Sequence, residues 1–224
     1  MSLRGLGVWP SFVAYACQFV TGALMRVRVE GLEHLPKDGP VIIAPNHLSN
    51  IDPPLVGGFM SPALDRRPRF LAKEALFVGP VGWFFRWQGV VPVKSGGSDM
   101  DAYRAAKSIL TDGDPMLIFP EGTRSRTGVL GRPRPGVTML AVREGVPIVP
   151  VGVSGTDRFL GAGQKLPRIG TRATVRFGKA YQPVIEKGAD RRAALAAADE
   201  ELMRRIAALV DPQYRGDWEP WPDA

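Results

Sequence analysis

Cysteine is all but missing from this chain, with Cys17 alone among 224 residues. A lone thiol forms no internal disulfide, so nothing in the composition points to an oxidising compartment. Histidine is nearly as scarce, and His34 and His47 are the only two. Two histidines and one cysteine do not assemble a zinc cage, and no metal is expected. Acidic residues are the minority charge, 22 against 29 Lys and Arg, which leaves the chain at +7. A basic surface attracts nucleic acid and anionic lipid alike. Aromatic content is only 8% and no nucleic-acid-binding module is recognisable, so nucleic acid is set aside as a partner and a membrane surface is kept. Internal repeats and low-complexity linkers are lacking too. At 45% hydrophobic, the 224 residues suffice for one buried core and fall short of two ordinary domains with linkers.

Charge is absent between Arg4 and Arg26. Trp9, Phe12, Tyr15, Phe19 and Val20 make this stretch apolar, whereas Pro10, Ser11, Gln18, Thr21 and Gly22 dilute it. The whole chain has a mean hydropathy of -0.05. Residues 1–25 are therefore expected to form an amphipathic helix lying in one leaflet, with Trp9 and Tyr15 at headgroup level and Arg4 and Arg26 at the phosphates. A helix packed on the domain's own core is the competing reading. A secretory leader is disfavoured by the weakly basic start and the lack of a small-residue cleavage site.

Past this segment, short apolar runs alternate with helical patterns. Residues 26–29, 41–44, 69–72, 89–93, 116–119, 148–153 and 173–177 read as strands. Residues 100–110, with Asp99 as cap, 137–143 and 193–210 read as helices. The alternation predicts an α/β fold, a single layered domain over residues 26–210 with a largely parallel or mixed central sheet flanked by helices. Residues 211–224, rich in Pro, Gly and charge, form a C-terminal extension, packed or partly mobile. Asp199 falls close to the apolar stripe of the last helix and has no functional reading.

Two segments carry the chemistry. Asn46-His47-Leu48-Ser49-Asn50-Ile51-Asp52 puts a histidine and a carboxylate on one turn after the apolar run 41–44. A carboxylate at that spacing can orient an imidazole and stabilise its protonated form, which is how a general base is built. Pro53 and Pro54 suit a first helical turn, so Asp52 is expected at a helix N-cap with its side chain turned back toward His47. Taken alone, the segment equally describes an Asp capping a helix beside an incidental His. Phe119-Pro120-Glu121-Gly122-Thr123-Arg124-Ser125 leaves a strand end, where α/β proteins place their sites. Its glycine admits a ligand close to the backbone, Thr123 and Ser125 offer hydroxyls, and Arg124 offers a planar fork suited to a phosphate.

Together the two segments closely resemble the Asn-His-x-x-x-x-Asp and Phe-Pro-Glu-Gly-Thr-Arg-Ser blocks of the glycerolipid acyltransferase family, typified by 1-acyl-sn-glycerol-3-phosphate acyltransferase. The resemblance covers residues 41–154. Lys73 stands where the family has a phosphate-binding lysine, Arg134-Pro135-Gly136 where a Lys/Arg-x-Gly element is usual, and Val146-Pro147-Ile148-Val149-Pro150-Val151 looks like the fourth block. One departure is Val93-Lys94, where the family commonly ends its second block in Asp-Arg; the positive charge is kept and the acid is missing.

The resemblance implies that His47 acts as base with Asp52 as its orienting partner, in direct attack without an acyl-enzyme. It implies that Glu121, Gly122 and Thr123 contribute to the acceptor pocket, and that Arg124 and Lys73 neutralise the acceptor phosphate. The implied reaction needs no metal or cofactor. It transfers a fatty acyl group from acyl-CoA or acyl-carrier protein to the sn-2 hydroxyl of lysophosphatidic acid, making phosphatidic acid at the cytoplasmic face of the cell membrane, by a peripheral or monotopic enzyme. Another lyso-phospholipid, glycolipid or amine lipid as acceptor is the nearest alternative. A hydrolase using Ser49 or Ser125 lacks the Gly-x-Ser-x-Gly elbow, and a non-catalytic membrane module would have no use for the intact motifs.

Overall fold

Ile148–Ser154 is buried at every position, as expected of a strand covered on both faces. In the computed structural model, which describes residues 7–94, 99–164, 166–186 and 188–222, this strand lies near the middle of a seven-stranded sheet. The strands are β1 (Met25–Glu30), β2 (Val41–Pro45), β3 (Arg69–Lys73), β4 (Val91–Val93), β5 (Pro115–Leu117), β6 (Ile148–Ser154) and β7 (Thr171–Phe177), in the spatial order β1-β7-β6-β2-β5-β3-β4. All neighbours pair in parallel except β6 with β7, so β1 and β7 run against the other five. The sheet is mixed, single and continuous, within the expected architecture.

The helices are α1 (Val8–Leu24), α2 (Asp52–Leu64), α3 (Gly79–Trp87), α4 (Asp99–Thr111), α5 (Val137–Glu144), α6 (Thr156–Leu160) and α7 (Arg191–Leu209). Alternate residues of β2 divide between two cores, as the pleat requires. Ile42 and Ala44 join Ile109, Leu140, Leu202 and Ile206 of α4, α5 and α7 on one side. Val41 and Ile43 join Leu55, Val56, Met60 and Leu64 of α2 on the other.

Several boundaries differ from the sequence expectations. β5 covers Pro115–Leu117 rather than 116–119: the Ile118 N–H still bonds Ile43 O at 2.9 Å, and Phe119 leaves the sheet to pack on a side chain described below. β4 starts at Val91, not 89, because Gly89 adopts a left-handed turn with φ of 77°. α7 starts at Arg191, capped by Asp190, which accepts from the Arg192 N–H at 2.9 Å. Asp52 is the first helical residue of α2 instead of its cap, a position held by Ile51, although its side chain does turn back as expected. α4 opens at Asp99, whose side chain lies outside the described residues.

α1 has two unlike faces. It packs on α2 through small and polar residues: Ala14 and Thr21 are buried, and Gln18 Nε2 donates to Gly58 O at 2.9 Å. Its aromatic residues Trp9, Phe12, Tyr15 and Phe19 are exposed. Arg4 lies outside the described residues. The C-terminal extension is anchored at points: Tyr214 is 3% exposed, and Arg215 Nε donates to Ala207 O of α7 at 2.9 Å.

Candidate active site

The candidate residues gather at the carboxyl ends of three neighbouring parallel strands. Ile43, Leu117 and Phe70 lie abreast on β2, β5 and β3. His47 and Glu121 each follow four residues beyond that line, and Lys73 follows three beyond. Parallel strands in register thus bring the two sequence motifs together at one edge of the sheet.

His47 is held on four sides. Its Nδ1 meets Asp52 Oδ2 at 2.9 Å. Its ring stacks on Phe119, centroid to centroid 4.0 Å at 23°. Its backbone N–H donates to Glu121 Oε1 at 2.9 Å, and its carbonyl accepts from the Ser125 N–H at 2.7 Å. The side chain is 15% exposed. Asp52 is fully buried, and the same Oδ2 also accepts from the N–H groups of Leu48 and Ser49, both at 2.7 Å. Contacts from the imidazole and two backbone N–H groups thus converge on one carboxylate oxygen, while Oδ1 is buried with no hydrogen-bond partner among the described residues. An imidazole proton on Nδ1 would point at Asp52 and leave the Nε2 lone pair to accept another.

Asn46 completes the frame. Its carboxamide accepts from the Val153 N–H at 2.7 Å and donates to Val153 O at 2.9 Å. This mimics a rung of the sheet ladder and ties the end of β2 to β6.

Glu121 is buried, and its second oxygen, Oε2, accepts from the Gly131 N–H at 3.0 Å. Burial pushes its carboxyl above the usual range, against the pull of the two backbone donors from His47 and Gly131. Glu121 therefore bears on the site through the backbone of His47. Gly122 has φ of 66°, and a Cβ there would stand 2.6 Å from Arg134 Cδ, so that arginine's stem lies over the turn. Thr123 is exposed and Arg124 half-buried, and Lys73 is exposed. Among the described residues neither cation is taken up by a hydrogen bond or ion pair.

The two serines have other duties. Ser49 Oγ donates to Leu160 O at 2.6 Å, and Ser125 Oγ donates to Val129 O at 2.7 Å. Neither hydroxyl is hydrogen-bonded to the imidazole among the described residues, and Ser49 Oγ also accepts from the Ile51 N–H of its own loop at 3.3 Å. The arginines at 66, 67 and 69 are structural as well. Arg66 donates to Gly39 O at 2.6 Å and Pro36 O at 3.1 Å, Arg67 to Trp87 O at 3.0 Å, and Arg69 to Gly89 O at 3.1 Å. No cluster of His, Cys, Asp and Glu able to hold a metal occurs among the described residues. Asn46, Phe119 and Gly131 were not singled out from the sequence. Asn46 opens the first motif and Phe119 the second, so the signal was there; Gly131 is joined to the site only through space.

Known proteins resemble this chain in sequence and fold. Residues 26–154 match the family model described as Acyltransferase. The chain is 34% identical over 144 residues to the chloroplastic 1-acyl-sn-glycerol-3-phosphate acyltransferase LPAT1 of Arabidopsis thaliana, an overlap of 62% of this chain and 39% of the relative. It is 30% identical over 165 residues to a 1-acyl-sn-glycerol-3-phosphate acyltransferase of Pseudomonas aeruginosa, covering 72% of this chain and 59% of the relative. It thus spans only part of the length of these curated relatives. The crystal structure of the 1-acyl-sn-glycerophosphate acyltransferase PlsC from Thermotoga maritima superposes with a TM-score of 0.71 at 30% identity, covering 85% of this chain and 75% of that one.

Proposed function

The chain belongs to the acyltransferase family, and from that premise we propose that it transfers a fatty acyl group from acyl-CoA or acyl-carrier protein to the sn-2 hydroxyl of 1-acylglycerol 3-phosphate, yielding phosphatidic acid. The observation that carries this reading is the His47–Asp52 contact at 2.9 Å, with the imidazole wedged between the two motifs. An alcohol is a poor nucleophile until its proton has somewhere to go. In the proposed reaction Nε2 of His47 takes that proton as the hydroxyl oxygen attacks the thioester carbonyl, and Asp52 stabilises the imidazolium. Collapse of the tetrahedral intermediate breaks the C–S bond, and the imidazolium returns its proton to the departing thiolate. The new ester C–O bond replaces the thioester, with no covalent enzyme intermediate.

Arg124 and Lys73 are the proposed clamp for the acceptor phosphate. Their uncommitted charge supports an anionic acceptor over a neutral one, and lysophosphatidic acid is what the names of the relatives supply.

A lipid acceptor has to be reached in a bilayer, and the proposed location is the cytoplasmic face of the cell membrane. No helix among the described residues is long and apolar enough to cross one. The exposed aromatics of α1 support a residence in one leaflet. α3 adds Trp83, Phe84 and Trp87, which are exposed together with Leu76 and Val78 just before it.

Mass spectrometry of products from a panel of lyso-lipids with acyl-CoA and acyl-carrier-protein donors tests the reading. Phosphatidic acid formed fastest from lysophosphatidic acid is the expected result. A preferred acceptor without phosphate monoester reassigns the substrate, and free fatty acid as main product makes the protein a hydrolase. Removal of residues 1–24 is expected to release the folded protein from anionic liposomes. Unchanged binding would move the anchor to α3.

A further inference from the structure

The C-terminal extension lies outside residues 26–154, the span of the family match, yet it is wired to the candidate base. Trp218 Nε1–H donates to Gly131 O at 3.1 Å. The N–H of the same glycine donates to Glu121 Oε2 at 3.0 Å. The other oxygen of that carboxylate accepts from the His47 N–H at 2.9 Å. The three contacts form an unbroken mechanical series from the extension to the backbone of His47.

We propose that Trp218 is a positioning residue for His47, acting through Gly131 and Glu121. The inference rests on the reading of His47 as the base.

The geometry leaves this relay little slack. A Cβ on Gly131 would stand 2.9 Å from Glu121 Oε2, so the glycine backbone sits against the carboxylate with no room for a side chain. The adjoining Leu130 N–H donates to Tyr214 O at 2.8 Å, which pins the segment to the extension at a second point. The extension is in turn fixed to α7, since the Trp221 N–H donates to Arg204 O at 3.0 Å and the Arg204 guanidinium lies 5.2 Å from the Trp221 ring. Residues 130 and 131 are thus held between a packed helix and a buried carboxylate. Burial raises the Glu121 pKa, and the two backbone donors oppose that rise. Loosening the Gly131 side weakens the partner of the His47 amide.

The scarcity of histidine makes the test direct, because labelling with 15N-histidine yields two backbone amide signals, from His34 and His47. Trp218→Phe keeps an aromatic ring, smaller than the indole, and removes the N–H. The expected result is an upfield shift of the His47 amide proton with His34 unmoved. A loss of kcat of about two- to tenfold should accompany it, the scale of one hydrogen bond, with acceptor KM and Tm close to parental. Gly131→Ala, which presses on Glu121 from the same side, should move the same His47 signal and combine less than additively with Trp218→Phe. Trp221→Phe, which keeps the extension but has no link to Gly131, should leave both the signal and kcat unchanged. An unmoved His47 amide in Trp218→Phe and in Gly131→Ala overturns the relay. So does a kcat loss matched by Trp221→Phe and by an equal fall in Tm, which would make the extension a general brace. Retention of activity by His47→Ala, with the His47 amide of the other variants shifted as expected, would instead sink the reading of His47 as base and leave the relay standing.

Discussion

The two halves of the candidate site are built in opposite ways. His47 is fixed by a carboxylate, a stacked ring and two backbone hydrogen bonds before any ligand arrives. Lys73 and Arg124 stand at the ends of the neighbouring strands, on the exposed and half-buried side, with no internal partner among the described residues. A proton acceptor works only along one direction, so its orientation is set in advance by groups that never leave. A cationic clamp gains from an anion what a prior partner would take away, so it is left open.

Breaking the fixed half has the largest expected effect. His47→Ala should lower turnover about a hundred- to ten-thousandfold while leaving the fold intact, measured by initial rates and circular dichroism together. Asp52→Asn should also cost strongly, because its amide oxygen can accept at the Oδ2 position but carries no charge to stabilise the imidazolium. Retention of more than about a tenth of the activity in His47→Ala, well above that range, removes this histidine from the mechanism.

Glu121→Gln comes next. One of the two backbone donors, from His47 or Gly131, would face an NH2 group in place of an oxygen. A fall in kcat of about tenfold with little change in either KM is expected, the scale of one buried donor left unpaired. A rise in acceptor KM at unchanged kcat would instead make Glu121 part of the acceptor pocket.

On the open half, Arg124→Lys should raise the acceptor KM several-fold and barely alter kcat or donor KM, because an ammonium does not reproduce a guanidinium fork. Equal weakening toward donor and acceptor would reassign the cation to the carrier's phosphates.

The smallest effect belongs to a carboxylate outside the site. Asp199 is buried and accepts from Thr138 Oγ1; burial raises its pKa, the Thr138 bond opposing. Above the ordinary aspartate range, near 3.9, the native state holds a proton that the unfolded chain has lost. Stability therefore falls as pH rises through the window up to the raised pKa and is flat beyond it. Asp199→Asn keeps an oxygen for Thr138 and removes the titration. Its Tm should exceed the parent's at neutral pH, and the gap should close toward pH 4. A Tm below the parent's at every pH would mean that the charge is stabilising where it stands.

Much of this was legible in the sequence. The β2 run of apolar residues fixed a covered strand, and the spacing from His47 to Asp52 fixed a turn that returns the carboxylate to the ring. α3 went unread because it is short, nine residues opening on Gly79-Pro80, a pair that reads as a turn. The antiparallel turn of β7 was open because local pattern does not carry strand direction. The tie from Trp218 to Gly131 joins residues 87 positions apart, and only the closing of the extension over α7 brings them together. Asp199, an awkward acid on an apolar stripe, became intelligible once α5 supplied Thr138 across the interface.

The two rims of the sheet bear on how copies of this protein meet. At one rim β1 has Arg26 and Arg28 exposed, and at the other β4 is only Val91–Val93 with Pro92 at its centre. Charge, brevity and a missing N–H all discourage a foreign strand from adding on. Cross-strand stacking into fibrils is thereby guarded against at both rims. The sticky part of the surface is the outward side of α1, so purification without detergent should give soluble clusters that lipid or detergent disperses, in place of an ordered aggregate.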